Sequence, residues 1–70
     1  MGVKETIKTI LIKEDWTITK LNEELNKRYN RETTSQNLNL KISKETLKYN
    51  EVLEIAEVLG YDIVWIKKNK

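Results

Sequence analysis

The side chains with the most chemistry to offer in this chain are amides. Between Thr33 and Ile42 stand Gln36, Asn37 and Asn39, with Ser35 before them and Leu38, Leu40 and Ile42 interleaved. Gln and Asn each carry a donor and an acceptor on one planar group, the geometry that pairs bidentately with adenine in the DNA major groove. Ser and Asn favour caps and turns over helix interiors, because their side chains compete for the backbone. A short helix made of them and pinned by only Leu38 and Ile42 suits a surface that must hydrogen-bond another molecule.

Other chemistry is poorly supplied. The chain has no cysteine and no histidine, which removes thiolate metal sites, disulfides and the commonest general base together. Glu23 and Glu24, and Glu51, Glu54 and Glu57, place carboxylates at helical spacings. Such spacings give a solvated face, whereas an acid–base pair needs a cleft that splits the two pKa values. No glycine-rich phosphate loop and no nucleophile–base pair is present. We therefore expect no catalytic residue, no metal, no cofactor and no small-molecule ligand; the chain is not read as an enzyme.

The 70 residues make a single domain spanning 1–70, with 39% hydrophobic and 34% charged side chains. A chain of this size buries only about 60% of the surface it exposes when unfolded. The longest apolar run, Ile63 to Ile66, is far short of the roughly 20 residues that span a bilayer. Lys4, Glu5, Lys8 and Lys13 interrupt the N-terminal apolar residues, so no secretory signal and no membrane partner is expected. The expected location is cytoplasmic, in a bacterial cell or a phage-infected host.

The formal net charge is +2, unevenly spread. Residues 16–49 set Lys20, Lys27, Arg28, Arg31, Lys41, Lys44 and Lys48 against Glu23, Glu24, Glu32 and Glu45. Residues 50–63 carry Glu51, Glu54, Glu57 and Asp62 and no base. That asymmetry would orient the domain in the field of a polyanion, with its middle toward it and the acidic helix away.

Periodicity supplies the elements that must hold the amides. Val3, Ile7, Ile10 and Leu11 predict a first helix over 3–14. Trp16 follows in the link. Thr17 is the expected N-cap of a second helix, 18–28, whose apolar face is Ile18, Leu21 and Leu25. Thr33 or Thr34 caps the third, 35–43. Asn50 is the expected cap of a fourth, 50–59, carrying Val52, Ile55, Ala56 and Leu59 and stopped by Gly60. The fold class is mainly α, a compact domain of four to five helices.

Tyr61 to Ile66 is aromatic and β-branched after a helix stop, which predicts a short C-terminal β-strand over about 61–67. Tyr61, Ile63 and Trp65 would face one way, Val64 and Ile66 the other. A strand apolar on both faces invites pairing with the same strand of a second copy across a two-fold axis, making a homodimer interface of these five residues. The other disposition is docking of the tail along its own helices.

On a wheel of about 100° per residue, Leu38 and Ile42 face inward and Gln36, Leu40 and Ser43 face out. Asn37, Lys41 and Lys44 flank that stripe on one side and Asn39 on the other. Ser35, Gln36 and Asn37 occupy the first turn, the part of a recognition helix that reaches base edges. Leu40 is apolar where the helix faces water, placed to touch a thymine methyl or a protein. Lys41 and Lys44, with Lys20, Lys27, Arg28 and Arg31, are candidates for phosphates.

The run Trp16-Thr17-Ile18-Thr19-Lys20-Leu21-Asn22-Glu23-Glu24-Leu25, then Thr34-Ser35-Gln36-Asn37-Leu38, then Glu51 through Gly60 with its Ile-Ala-x-x-Leu-Gly phrase, resembles the phage repressor and Cro (XRE-like) type of helix-turn-helix domain. The resemblance covers roughly Val3 to Gly60. It implies a compact helical domain, usually dimeric, that binds operator DNA through its third helix. It implies that Thr34 to Asn37 form the base-reading turn and that Thr17 and Lys20 meet phosphate at the start of the second helix. Some Cro-like members dimerise through a C-terminal strand, which Tyr61–Ile66 would match. This chain departs from the pattern at Asn22, where the family usually has Ala, in a longer connection from Asn26 to Thr33, and in the apolar Ile18 and Leu40.

The expected function is therefore a sequence-specific transcriptional regulator that binds double-stranded DNA as a homodimer. Ser35, Gln36, Asn37 and Leu40 would read bases, and Thr17, Lys20, Thr34, Lys41 and Lys44 would meet phosphates. The alternative is a protein-interaction module on the same fold, an antirepressor or inhibitor, for which Leu40, the modest charge and the apolar tail speak.

Overall fold

The computed structural model describes residues 2–68. Four helices follow in order: α1 (Val3–Lys13), α2 (Ile18–Tyr29), α3 (Ser35–Ser43) and α4 (Tyr49–Leu59). Each contributes two side chains to one core: Ile7 and Leu11, Leu21 and Leu25, Leu38 and Ile42, Ile55 and Val58. These pairs are three or four residues apart, so each lies on one helical face. Each such side chain, removed from water, contributes about 1.5–3 kcal/mol. Leu21 and Ile42 are fully enclosed. Helix α2 packs against both α3 and α4, and α1 against α3. Trp16, Ile18, Tyr29, Leu47 and Leu59 close the rim.

The starts of α2 and α3 are made by threonine. Thr17 Oγ1 accepts the Lys20 N–H and Thr34 Oγ1 accepts the Asn37 N–H, each at 3.1 Å. Each bond satisfies one orphan donor of a first turn. Helix α4 begins differently. Its N-cap is Lys48, whose N–H is accepted by the Glu51 carboxylate at 2.9 Å, so Asn50 lies inside the first turn and is not the cap. A carboxylate three residues into the helix reaches back to the cap N–H, half of a capping box, and this displaces the start by one residue.

All four helices stop in the same way. Asp15, Asn30, Glu45 and Gly60 adopt left-handed backbone, with φ of 57°, 53°, 54° and 81°. The following N–H in each case reaches back five residues: Trp16 to the Leu11 carbonyl, Arg31 to Asn26, Thr46 to Lys41 and Tyr61 to Ala56, at 2.8–3.0 Å. This is the Schellman arrangement. Gly60 adopts it without a Cβ clash; Asp15 and Glu45 do so at a cost of about 1–2 kcal/mol.

The tail corrects the sequence reading. Among the described residues there is no strand, and residues 61–68 run without regular structure. A strand requires a neighbouring ladder for its N–H and C=O groups, and four helices offer no edge. Side chains tie the segment to the body instead. The Tyr61 hydroxyl donates to Glu14 Oε2 and Trp65 Nε1 donates to the Tyr49 hydroxyl, both at 2.8 Å. The Tyr49 and Trp65 rings stand 6.3 Å apart, tilted by 51°. Ile63 lines an apolar cleft of about 190 Å³ with Ile7 and Ile10 of α1 and Val52 and Leu59 of α4. Val64, Trp65 and Ile66 remain 70–84% exposed. Of the two dispositions open to the tail in the sequence, docking along its own helices is the one the single chain adopts.

Candidate nucleic-acid interface

Helix α3 lies with Leu38 and Ile42 in the core and Gln36, Asn37, Asn39, Leu40 and Lys41 exposed. Ser35 is half-buried, turned toward the core side of the first turn, so it stands further from a base-reading position than the sequence suggests. Ser43 is also half-buried, whereas Lys44 is exposed. The outward line of the helix therefore runs Gln36, Leu40, Lys44, at i, i+4 and i+8, in place of Gln36, Leu40, Ser43. Leu40 stands in its middle, 51% exposed.

Asn37 and Lys41 occupy the flank that turns toward α4. They line a cavity of about 70 Å³ with Arg31, Glu51 and Glu54 above Leu25 and Ile55. Here the structure changes the electrostatics. Lys41 Nζ donates to Glu51 Oε2 at 2.8 Å. The Arg31 guanidinium grips Glu54 through both terminal nitrogens, each at 2.7 Å, and lies 5.2 Å from the Tyr29 ring. The acidic face of α4 is thus only partly turned away: Glu51 and Glu54 neutralise two of the cations counted as phosphate contacts. Fork-to-fork pairing of guanidinium and carboxylate is the stronger of the two geometries.

The titration behaviour follows from these pairs. Glu51 is held below the usual carboxylate range, first by the Lys41 ammonium and then by the Lys48 backbone N–H. Arg31 is raised by its hydrogen bonds to Glu54, against the lowering effect of desolvation. In the tail the Tyr61 hydroxyl is raised by donating to the Glu14 carboxylate.

Of the other predicted phosphate residues, Thr17, Lys20 and Thr34 lie at the starts of α2 and α3, whereas Lys27 and Arg28 are in the last turn of α2 and Lys44 is the C-cap of α3. Thr17 and Thr34 use an oxygen lone pair for capping and keep a hydroxyl proton to donate. Lys20 lays its ammonium 4.5 Å from the centre of the Trp16 ring, a cation–π contact on the side of the domain that carries Thr17. Lys27, Arg28 and Lys44 are exposed, and neither ion pair among the described residues involves them.

Two residues that the sequence reading did not place at the site hold it together. Asn22 is the one buried polar side chain among the described residues. Its Nδ2 donates to the Thr33 carbonyl at 2.8 Å, and Asn26 Nδ2 donates to the same oxygen at 2.9 Å. Asn26 Oδ1 accepts the Thr33 N–H at 3.2 Å. The Thr33 hydroxyl faces Asn26 Oδ1 at 2.9 Å and Asn22 Oδ1 at 3.2 Å; with one proton it can serve only one of them at a time. The Asn26 carbonyl also takes the Arg31 N–H at 3.0 Å, so the connection from α2 to α3 is wound around Asn26. The signal was visible: two amides four apart on α2, before a polar connection without an apolar anchor.

Among the described residues no cluster of His, Cys, Asp or Glu is arranged to hold a metal, and no helix is long and apolar enough to cross a membrane. No family model, curated protein or solved structure matches this chain.

Proposed function

We propose that the chain is a sequence-specific DNA-binding regulator of the repressor or Cro kind, acting in the cytoplasm of a bacterial or phage-infected cell. The observation that carries the reading is the outward line of Gln36 and Leu40 on a nine-residue helix backed by Leu38 and Ile42, continued by Lys44 at its C-cap. An amide, an apolar group and a cation in series match a base edge, a thymine methyl and a phosphate. Asn37 reaches the groove from the α4 flank, and Ser35 shapes the first turn. Thr17, Lys20, Thr34 and Lys44 meet the backbone, and Lys41 joins them once it leaves Glu51.

The protein acts as a homodimer in this reading. The exposed tail residues Val64, Trp65 and Ile66, with Tyr61 and Ile63, supply a contact that a second copy can cover, and a second tail offers the ladder that one chain lacks. The two recognition helices then enter successive major grooves roughly 34 Å apart. Selection of bound duplexes from a random pool tests this: a recovered site with two-fold symmetry supports it, and an unenriched pool contradicts it.

One observation favours the protein-interaction alternative. Leu40 is half exposed, and the neighbouring cations Lys41 and Arg31 are already paired within the chain. An apolar contact centred on Leu40 would depend little on salt, whereas phosphate contacts weaken log-linearly with it.

A further inference from the structure

Thr33 is the residue immediately before the N-cap of α3, and side chains 30–34 are all exposed, so no apolar anchor fixes where α3 begins. What fixes it is hydrogen bonding. The Thr33 carbonyl takes two amide donors and its N–H one acceptor, all from Asn22 and Asn26 on a single face of α2. Two amides four residues apart on a rigid helix hold one peptide unit in position and in rotation. The Thr34 cap and the first turn of α3 follow directly from that unit.

We infer that Asn22 and Asn26 are positioning residues for recognition: they set the angle at which the first turn of α3, with Gln36 and Asn37, is presented to a partner. The inference rests on the DNA-binding reading above and adds to it a pair of residues that touch no base. A merely structural clamp would change stability and lower affinity for every duplex together. A positioning clamp changes the ratio between the preferred and a scrambled duplex, because phosphate contacts tolerate a small rotation of α3 and base contacts do not.

The test measures affinity for a duplex selected by the wild-type chain and for its scramble, at a temperature where every variant is folded by circular dichroism. Asn22→Ala and Asn26→Ala are each expected to lower the preference by about tenfold, the discrimination of roughly one good base contact, with affinity for the scramble within about twofold. The conservative Thr33→Ser, which retains the hydroxyl and the peptide, should keep the wild-type ratio. An unchanged ratio in the folded alanine variants overturns the inference while leaving DNA binding intact. Equal losses on both duplexes overturn it too, by showing a structural role alone. A wild-type chain that binds neither duplex overturns the DNA-binding reading and the inference with it.

Discussion

The Lys41 ammonium stands 2.8 Å from the Glu51 carboxylate, which joins the flank of α3 to the first turn of α4. The other oxygen of Glu51 accepts the Lys48 N–H at 2.9 Å, so one carboxylate caps α4 and neutralises α3 together. Its folded pKa is depressed by both contacts. A depressed carboxylate contributes stability that is present above the ordinary value and is lost as pH falls through the folded value. The melting temperature should therefore decline as pH falls below about 4.5, and Glu51→Gln should flatten part of that decline. The pair is partly exposed, so its direct Coulomb share is about 0.2–1 kcal/mol. Identical pH slopes for wild type and Glu51→Gln in thermal unfolding would remove Glu51 from the account.

The same pair sets opposite expectations for two lysines. Lys44 takes part in neither ion pair among the described residues, so Lys44→Ala should weaken all duplexes and reduce the salt slope by about 1 for each copy. Lys41→Ala should do less, because phosphate competes with Glu51 for that ammonium. Glu51→Gln should then tighten binding to any duplex several-fold, since like charge near the phosphates is removed and Lys41 is released. Anisotropy titrations of the three variants check this; a Glu51→Gln protein that binds DNA no better than wild type contradicts the competition.

Asp15 ends α1 in left-handed backbone at φ 57° and is exposed. Asp15→Gly should raise stability by about 1 kcal/mol through relief of the Cβ contact, less the entropy glycine adds to the unfolded chain. Urea unfolding measures the difference. A destabilised Asp15→Gly protein would mean that the side chain makes a contact outweighing the backbone strain.

The tail carries its own test. If Trp65 and Ile63 cover a second copy, Trp65→Glu and Ile63→Glu should be monomers by sedimentation with an unchanged helical spectrum. A mass equal to that of wild type in both variants would place any dimer contact elsewhere.

Much of this architecture was legible in the residues themselves. Pairs such as Leu21/Leu25 and Leu38/Ile42 mark one helical face each, and Thr17, Thr34 and Gly60 mark ends by local hydrogen bonding, so the helices fall within a residue or so of their expected spans. The tail was misread because β-propensity at Tyr61–Ile66 is local, while a strand exists only with a neighbour to pair with. Lys41 and Arg31 read as phosphate contacts in the sequence because charge is visible there and its partner is not. Glu51 and Glu54 come opposite them only when α4 packs against α2 and brings its first turn to Lys41. Asn22 is visible in the sequence as a polar residue on the face of Leu21 and Leu25, but its purpose needs Thr33 brought beside it.

Reading of duplex DNA by the α3 face is tested most directly by one titration. Affinity for a selected duplex and for its scramble is measured across a salt series, with wild type and Gln36→Ala. Lys20 and Lys44 from two copies neutralise about four phosphates, so log affinity should fall with log salt at a slope of about −4. Gln36→Ala should cost about 1–3 kcal/mol on the selected duplex and almost nothing on the scramble. Absence of binding at low salt, or binding with a slope near zero, would contradict the account.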